Sequence, residues 1–348
     1  MSGKQLIDAC DETATVVTLS TYPLDQSRTQ RRGRKAVVAA AVGAFAILGP
    51  IMLAPSASAD PSCGSGCSHD SSSTASKQVS GEHNSVTVSA RDESNASATV
   101  TGKRNSSNTT ANNDSGGLFG GAFTVIKGND NKVITKANHG SLAVNGVEGN
   151  RNTVVAKADD GSGAVNGVKG NRNTVIAKAD DLSGAVNGIE GDHNTVVAKA
   201  DDGSGAVNAV KGDRNTVIAK ATNGGVASNA AVGSHDKASA TANHDGKASN
   251  TVVGNYSTAT SFADGAGSVA TSTAVNGGEA HTTALAGGKA TATATGSHQT
   301  ATALASGTGA TATATATATG GSTDCGTTGV AFAATTSNGH LTGACYRV

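Results

Sequence analysis

From Asn152 onward the chain alternates with a period of two. Asn152, Val154, Ala156 and Ala158 fall on one face, and Thr153, Val155, Lys157 and Asp159 on the other. That is the signature of a strand with one buried side. The pattern returns in TVIAKA, TVVAKA and TVIAKA further on, each time directly after a Gly-x-x-Asn turn. The glycines opening that turn are Gly81, Gly102, Gly128, Gly149, Gly170, Gly191 and Gly212. Every step is 21 residues except Gly102 to Gly128, where five extra residues fit the insert NNDSGGLFGG. The step continues to Gly233 and Gly254, and glycines near Gly265, Gly277, Gly288, Gly296 and Gly307 mark half-steps of about ten. Two strands of about five or six residues and two tight turns account for one period. Gly, Asn, Thr and Val disfavour helix, and no 3.6 period emerges. Disorder shares this composition but sets no register, and here one register persists through the repeats. The expected fold is all-β: a single-stack β-solenoid of 21-residue coils with two short strands each. Residues 81 to 320 have room for roughly eleven coils, or about 50 Å of rod.

Stacking gives meaning to what changes between repeats. The residue before each turn glycine is Glu148, then Lys169, Glu190 and Lys211. Parallel in-register coils place equivalent residues about 4.8 Å apart, so opposite charges attract where like charges would repel. On an exposed edge each pair contributes a few tenths of a kcal/mol, so the alternation specifies register more than it adds stability. A second column, Lys157, Lys178, Lys199 and Lys220, keeps one sign, and its first three members lie two residues before the ADD acids, which can neutralise it laterally. Asn131, Asn152, Asn173, Asn194 and Asn215 are expected to form a ladder of side-chain amides along the stack. Val155, Ile176, Val197 and Ile218 alternate in size, which suggests duplication of a 42-residue pair of coils.

Composition limits what such a stack can contain. Tryptophan is absent, all four prolines lie at or before Pro61, and Phe119, Phe123, Tyr256, Phe262, Phe332 and Tyr346 are the aromatics after residue 60. So few bulky residues fill only a thin core. RRGRK at residues 31–35 precedes the apolar run AVVAAAVGAFAILGPIMLA and an Ala-x-Ala site at Ala57 and Ala59. This reads as a signal peptide cleaved before Asp60, with a retained membrane anchor as the alternative. Residues 1–59 hold six basic and four acidic residues of the 26 and 26 in the chain, leaving 20 against 22. A near-neutral chain argues against a dedicated nucleic-acid binder. After the leader, with Cys10, is gone, Cys63, Cys67, Cys325 and Cys345 remain, an even number suited to an oxidising exterior. Local pairs Cys63–Cys67 and Cys325–Cys345 are favoured among three pairings, with a four-thiolate zinc site as the rival. The expected divisions are a leader at 1–59, a Ser/Gly-rich linker at 60–80, Gly-x-x-Asn repeats at 81–232, Ala/Gly/Thr-rich degenerate repeats at 233–321 and a cap at 322–348.

Four features carry candidate chemistry. The turn acids Asp159, Asp160, Asp180, Asp181, Asp201 and Asp202 stack along one edge and offer calcium its preferred oxygens, although solvated acids are the simpler reading. His83, His193, His235 and His298 stand two residues after a turn glycine, where Arg104, Arg151, Arg172 and Arg214 also stand. This basic column could contact an anionic wall polysaccharide or teichoic acid. Segments such as KATATATG and ATATATATATG place threonine on one face and alanine on the other, the flat Thr-x-Thr array that a resemblance to ice-binding solenoids requires. The final segment leaves the repeat, and a small unit closed by Cys325–Cys345 is expected to cover the open end of the stack. A disulfide around such a loop contributes roughly 3 kcal/mol. No nucleophile elbow, metalloprotease motif or phosphate loop occurs, and the chain is read as a non-enzyme without a cofactor.

With Gly149 and Asn152 as example positions, residues 81–220 resemble curlin repeats, whose Gly-x-x-Asn units build extracellular amyloid. Ala158 stands where those repeats carry glutamine. Residues 233–320 resemble the β-roll heads of trimeric autotransporter adhesins. The resemblances imply a β-solenoid outside the cell, and association with the cell wall is a further expectation. The functional expectation is a secreted structural or adhesive repeat protein, with itself or an anionic surface polysaccharide as partner and neither nucleic acid nor, after cleavage, membrane. The alternatives are a self-assembling amyloid-like fibre and an ice-binding protein using the threonine face.

Overall fold

The computed structural model describes residues 67–68 and most of 74–347; short stretches inside that range, the longest being 112–120, and everything before residue 67 lie outside the description. The leader, Cys63, Arg104, His298 and Cys325 therefore fall outside the described residues, and of Cys67 and Cys345 only the backbone is described.

The described chain is all-β and builds the expected solenoid. Each coil contributes one six-residue strand to a 14-stranded sheet and one seven-residue strand to a 13-stranded sheet, here called the first and second sheets. Thr153–Ala158, Thr174–Ala179 and Thr195–Ala200 are neighbours in the first; Gly163–Lys169, Gly184–Glu190 and Gly205–Lys211 are neighbours in the second. All are parallel and one repeat apart, so Ala156 stands beside Ala177 and Asn166 beside Asn187. The insert after residue 111 is absorbed without loss of register: Ser106 pairs with Lys132, and Lys132 with Thr153. Further along, the first sheet keeps its step while the second drifts, pairing Lys247 with Val269 and Val269 with Lys289.

The alternation seen in the sequence is the alternation in space. Val154, Ala156 and Ala158 from one sheet and Ala164, Asn166 and Val168 from the other point inward and are buried. Between residues 133 and 221 valine or isoleucine lies at the glycine-turn end of each strand and alanine at the acidic-turn end, so the core there is a thin wedge. From residue 259 to 316 the apolar part of this core is alanine alone. Small side chains let the two sheets pack closely over a core too narrow for aromatics.

The turns show why glycine opens each repeat. Gly149, Gly170, Gly191 and Gly212 have φ between 132° and 143°, a region that L side chains rarely adopt. Each also sits against the turn below, so a Cβ on Gly191 would overlap the carbonyl oxygen of Gly170. The Gly191 N–H in turn donates to the carbonyl of Lys211 in the coil above, at 2.8 Å.

The far end of the stack changes from parallel to antiparallel pairing. Ala331–Thr336 pairs antiparallel with Thr300–Ala305, Gly321–Asp324 pairs antiparallel with Thr311–Ala316, and Ala344–Arg347 adds antiparallel to Ala331–Thr336. These strands cover the last parallel edge of both sheets. The disulfide expected to close this segment involves Cys325, outside the described residues.

Candidate functional site

The charge column is assembled as its spacing required. Lys127, Glu148, Lys169, Glu190 and Lys211 lie side by side in the second sheet. Lys127 and Glu148 approach to 3.2 Å, and Lys169 and Glu190 to 3.7 Å, all more than half exposed. Lys157, Lys178, Lys199 and Lys220 are likewise in register on the first sheet.

Asn131, Asn152, Asn173, Asn194 and Asn215 are buried and stacked, but they do not bond amide to amide. The backbone N–H of each donates to Oδ1 of the next: Asn152 to Asn173 at 2.7 Å and Asn194 to Asn215 at 2.8 Å. In two of them Nδ2 donates within its own turn, from Asn194 to the Gly191 carbonyl at 2.7 Å and from Asn215 to the Gly212 carbonyl at 2.6 Å, while Nδ2 of Asn131, Asn152 and Asn173 is buried without a partner. The reason is position: the asparagine ends the turn, so its side chain folds back onto turn backbone.

The amide ladder runs through the core. Asn145, Asn166, Asn187, Asn208, Asn229 and Asn250 are buried, and each Nδ2 donates to the next Oδ1 at 2.7–2.9 Å. Each also donates across the core to a first-sheet carbonyl, Asn166 to Ile176 and Asn187 to Val197, both at 2.9 Å. Beyond Asn250 the polar line continues through Ser261, Ser272 and Thr282. Sequence reasoning passed over these residues, although in AVNGV the asparagine shares parity with inward Ala164 and Val168. That parity was the available signal.

Arg151, Arg172, His193, Arg214, His235 and Tyr256 occupy one column on the glycine turns. All have φ between 58° and 63°, in the left-handed region. Asn, Asp and His tolerate that conformation better than other side chains, whereas arginine held there costs about 1 kcal/mol or more. Beside them Asn129, Asn150, Asn171, Asp192 and Asp213 form an outer ladder, each Oδ1 accepting the backbone N–H of the coil above. Between the two columns runs an open groove of about 530 Å³, lined by Asn150, Arg151, Asn171, Arg172, Asp192 and His193 among others. The column carries further planar groups beyond the groove. Arg214 Nη1 is 3.5 Å from His193 Nε2, and the His235 and Tyr256 rings stack at 5.2 Å. Asp130 and Asp192 line the groove with Arg151 and Arg172, so it is of mixed charge rather than uniformly basic.

On the opposite turns Asp160, Asp181 and Asp202 are also left-handed. The Asp180 carboxyl is held above the usual carboxylate range by burial, and then by the charges of Asp159 and Asp201 above and below it. Among the described residues no cluster of three or more His, Cys, Asp or Glu is placed to hold a metal ion. In the later coils Ser249, Thr271, Thr291 and Thr313 form one outward column of the second sheet, and Thr251, Thr273, Thr293 and Thr315 the next. No protein-family model, curated protein or solved structure matches this chain.

Proposed function

We propose that the chain is an extracellular, non-enzymatic structural rod that adheres to a linear polysaccharide through the glycine-turn groove. The observation that carries this reading is the placement of Arg151 and Arg172 in the left-handed region, lining an open groove, with Arg214 in the same conformation next along their column. Glycine would occupy that conformation without strain. Strain kept at a surface position that the fold does not require marks a site of use. Guanidinium, imidazole and phenol groups at one-coil intervals suit a chain of sugar residues, offering stacking faces and hydrogen-bond donors in a repeated pattern. The interspersed acids favour sugars rich in hydroxyls, with anionic groups tolerated opposite Arg151 and Arg172. Repetition multiplies weak contacts into stable adhesion. Extracellular placement rests on the basic, apolar and Ala-x-Ala order of residues 31–59.

Co-sedimentation of the full chain with insoluble cellulose and with calcium alginate beads tests this. Wild type is expected to pellet with at least one of them, and a variant carrying Arg151→Gln, Arg172→Gln and Arg214→Gln to remain in solution with unchanged thermal stability. Failure of wild type to pellet with either, or equal pelleting of the variant, overturns the reading.

A second reading, ice binding, is favoured by the two in-register columns of hydroxyl side chains ending in Thr291, Thr313, Thr293 and Thr315. End-to-end fibre growth is the least favoured, because antiparallel strands cover the last parallel edges.

A further inference from the structure

The outward face of the second sheet carries glycines that nothing inside the molecule explains. Gly146, Gly167 and Gly188 lie in mid-strand, side by side in three successive coils. Glycine in a strand interior costs about 0.5–1 kcal/mol relative to alanine, so each needs a reason. Backbone conformation is not one, since none has φ in the left-handed region, in contrast to Gly149, Gly170 and Gly191. Space is not one either. A Cβ would stand 3.9 Å from Val125 at Gly146 and 3.9 Å from the Asn145 carbonyl at Gly167, and would meet nothing within 4 Å at Gly188. A strand glycine with room around it is the mark of another backbone approaching from outside.

The columns on either side say what that neighbour is. On one side Val144, Val165, Val186 and Val207 make an outward apolar row, continued at one end by Phe123. On the other runs Glu148, Lys169, Glu190, Lys211, with alternating sign. A row that reads Glu, Lys, Glu, Lys in one direction reads Lys, Glu, Lys, Glu in the other. It is therefore complementary to its own reverse.

We infer that two copies of this chain pack face to face through the second sheet, related by a twofold axis along the strand direction between the strands Gly163–Lys169 and Gly184–Glu190. This operation reverses the order of coils and preserves position along each strand. Valine row meets valine row, Gly167 meets Gly188 and Gly146 meets Ala209, so that small residues let the backbones approach closely. Glu148 meets Lys211 and Lys169 meets Glu190 of the second copy, each pair occurring twice as an isologous interface requires. Six strands at about 4.8 Å and seven residues at about 3.3 Å give roughly 600 Å² per copy, the size of a modest, concentration-dependent dimer. The rods are antiparallel, which turns one adhesive rod into a crosslinker with grooves running in opposite directions.

Sedimentation equilibrium of the full chain over micromolar concentrations tests the inference. Wild type is expected to be a dimer in equilibrium with monomer. Gly167→Lys together with Gly188→Lys, for which the fold leaves room, is expected to weaken dimerisation about tenfold or more without lowering thermal stability. Lys169→Glu and Glu190→Lys are each expected to weaken it, and the double exchange to restore it. A wild type that stays monomeric, or association that survives the two lysines (through the N-terminal apolar run or by end-to-end growth), overturns the proposal.

Discussion

The side-chain amide of Asn166 donates to Oδ1 of Asn187 at 2.8 Å, inside the core and midway along both strands. Asn187 passes the bond on to Asn208 at 2.8 Å and reaches the Val197 carbonyl at 2.9 Å, so its oxygen and both its amide hydrogens are used. A one-residue slip of any coil would turn this asparagine to solvent and bring in a neighbour that cannot replace it. The ladder is thus the strongest device holding the repeat in register.

Asn187→Ala should therefore cost about 2–4 kcal/mol, since it strands the Asn166 amide, the Asn208 oxygen and the Val197 carbonyl in the core. Asn171→Ala, on the exposed turn, should cost less than about 1 kcal/mol. Urea unfolding of the two variants checks the contrast, and equal losses would contradict the role given to the inner ladder.

Glycines of the same repeat should respond in opposite directions. Gly191→Ala introduces a side chain at φ 134° and against the Gly170 carbonyl, and should destabilise by roughly 2–5 kcal/mol. Gly188→Ala, with open space around it, should be neutral or stabilise by up to about 1 kcal/mol. Thermal unfolding of the monomer at low concentration reads both.

Asp236 ends the buried turn column that runs from Asn131 to Asn215, accepting the Asn215 N–H at 2.6 Å where an asparagine would otherwise stand. Burial raises its pKa from 3.8 to about 6, with Asp213 and Asp192 adding to the rise and the bonds from Asn215 opposing it. Its Oδ2 is buried without a partner at the position from which Asn194 and Asn215 donate to their turn glycines. A raised folded pKa means that the native state binds the proton more tightly. The contribution of Asp236 is complete below about pH 4 and is lost as pH rises through about 6. Asp236→Asn should remove that dependence and raise the melting temperature at neutral pH. Melting curves from pH 4 to 8 decide it; parallel profiles for the two proteins would contradict the assignment.

Much of this was legible in the sequence because parity and period carry it. Val154, Ala156 and Ala158 alternate with Thr153, Val155 and Lys157, and the Glu148–Lys169 exchange has meaning only under in-register stacking. The asparagine ladder was misread for a physical reason. Asn152 and Asn166 recur with the same period, and only the direction of the side chain within a turn or a strand tells backbone capping from an amide ladder. The left-handed arginines were equally hidden, since Arg151 does not announce positive φ as glycine does. The Gly-x-x-Asn motif marks Gly191 as a turn glycine, but nothing in the sequence says that a Cβ on Gly188 would meet open space.

The threonine columns give a further outcome. If the flat array around Thr291 and Thr293 binds ice, the protein should show thermal hysteresis that Thr291→Lys with Thr293→Lys abolishes. Absence of hysteresis in the wild type ends that reading and leaves the polysaccharide groove.

The central claim is that coils stack parallel and in register, and spin-label distances test it most directly. Nitroxides are placed through ketone-bearing residues at Lys136 and Lys220, and separately at Lys136 and Thr283, leaving the native cysteines untouched. In register these positions lie four and seven coils apart. Double electron–electron resonance should give narrow distributions near 19 Å and 34 Å, about 4.8 Å per coil. Broad distributions centred near 50 Å for the 84-residue separation, as about 5–6 Å × √n for a flexible chain requires, would contradict the solenoid.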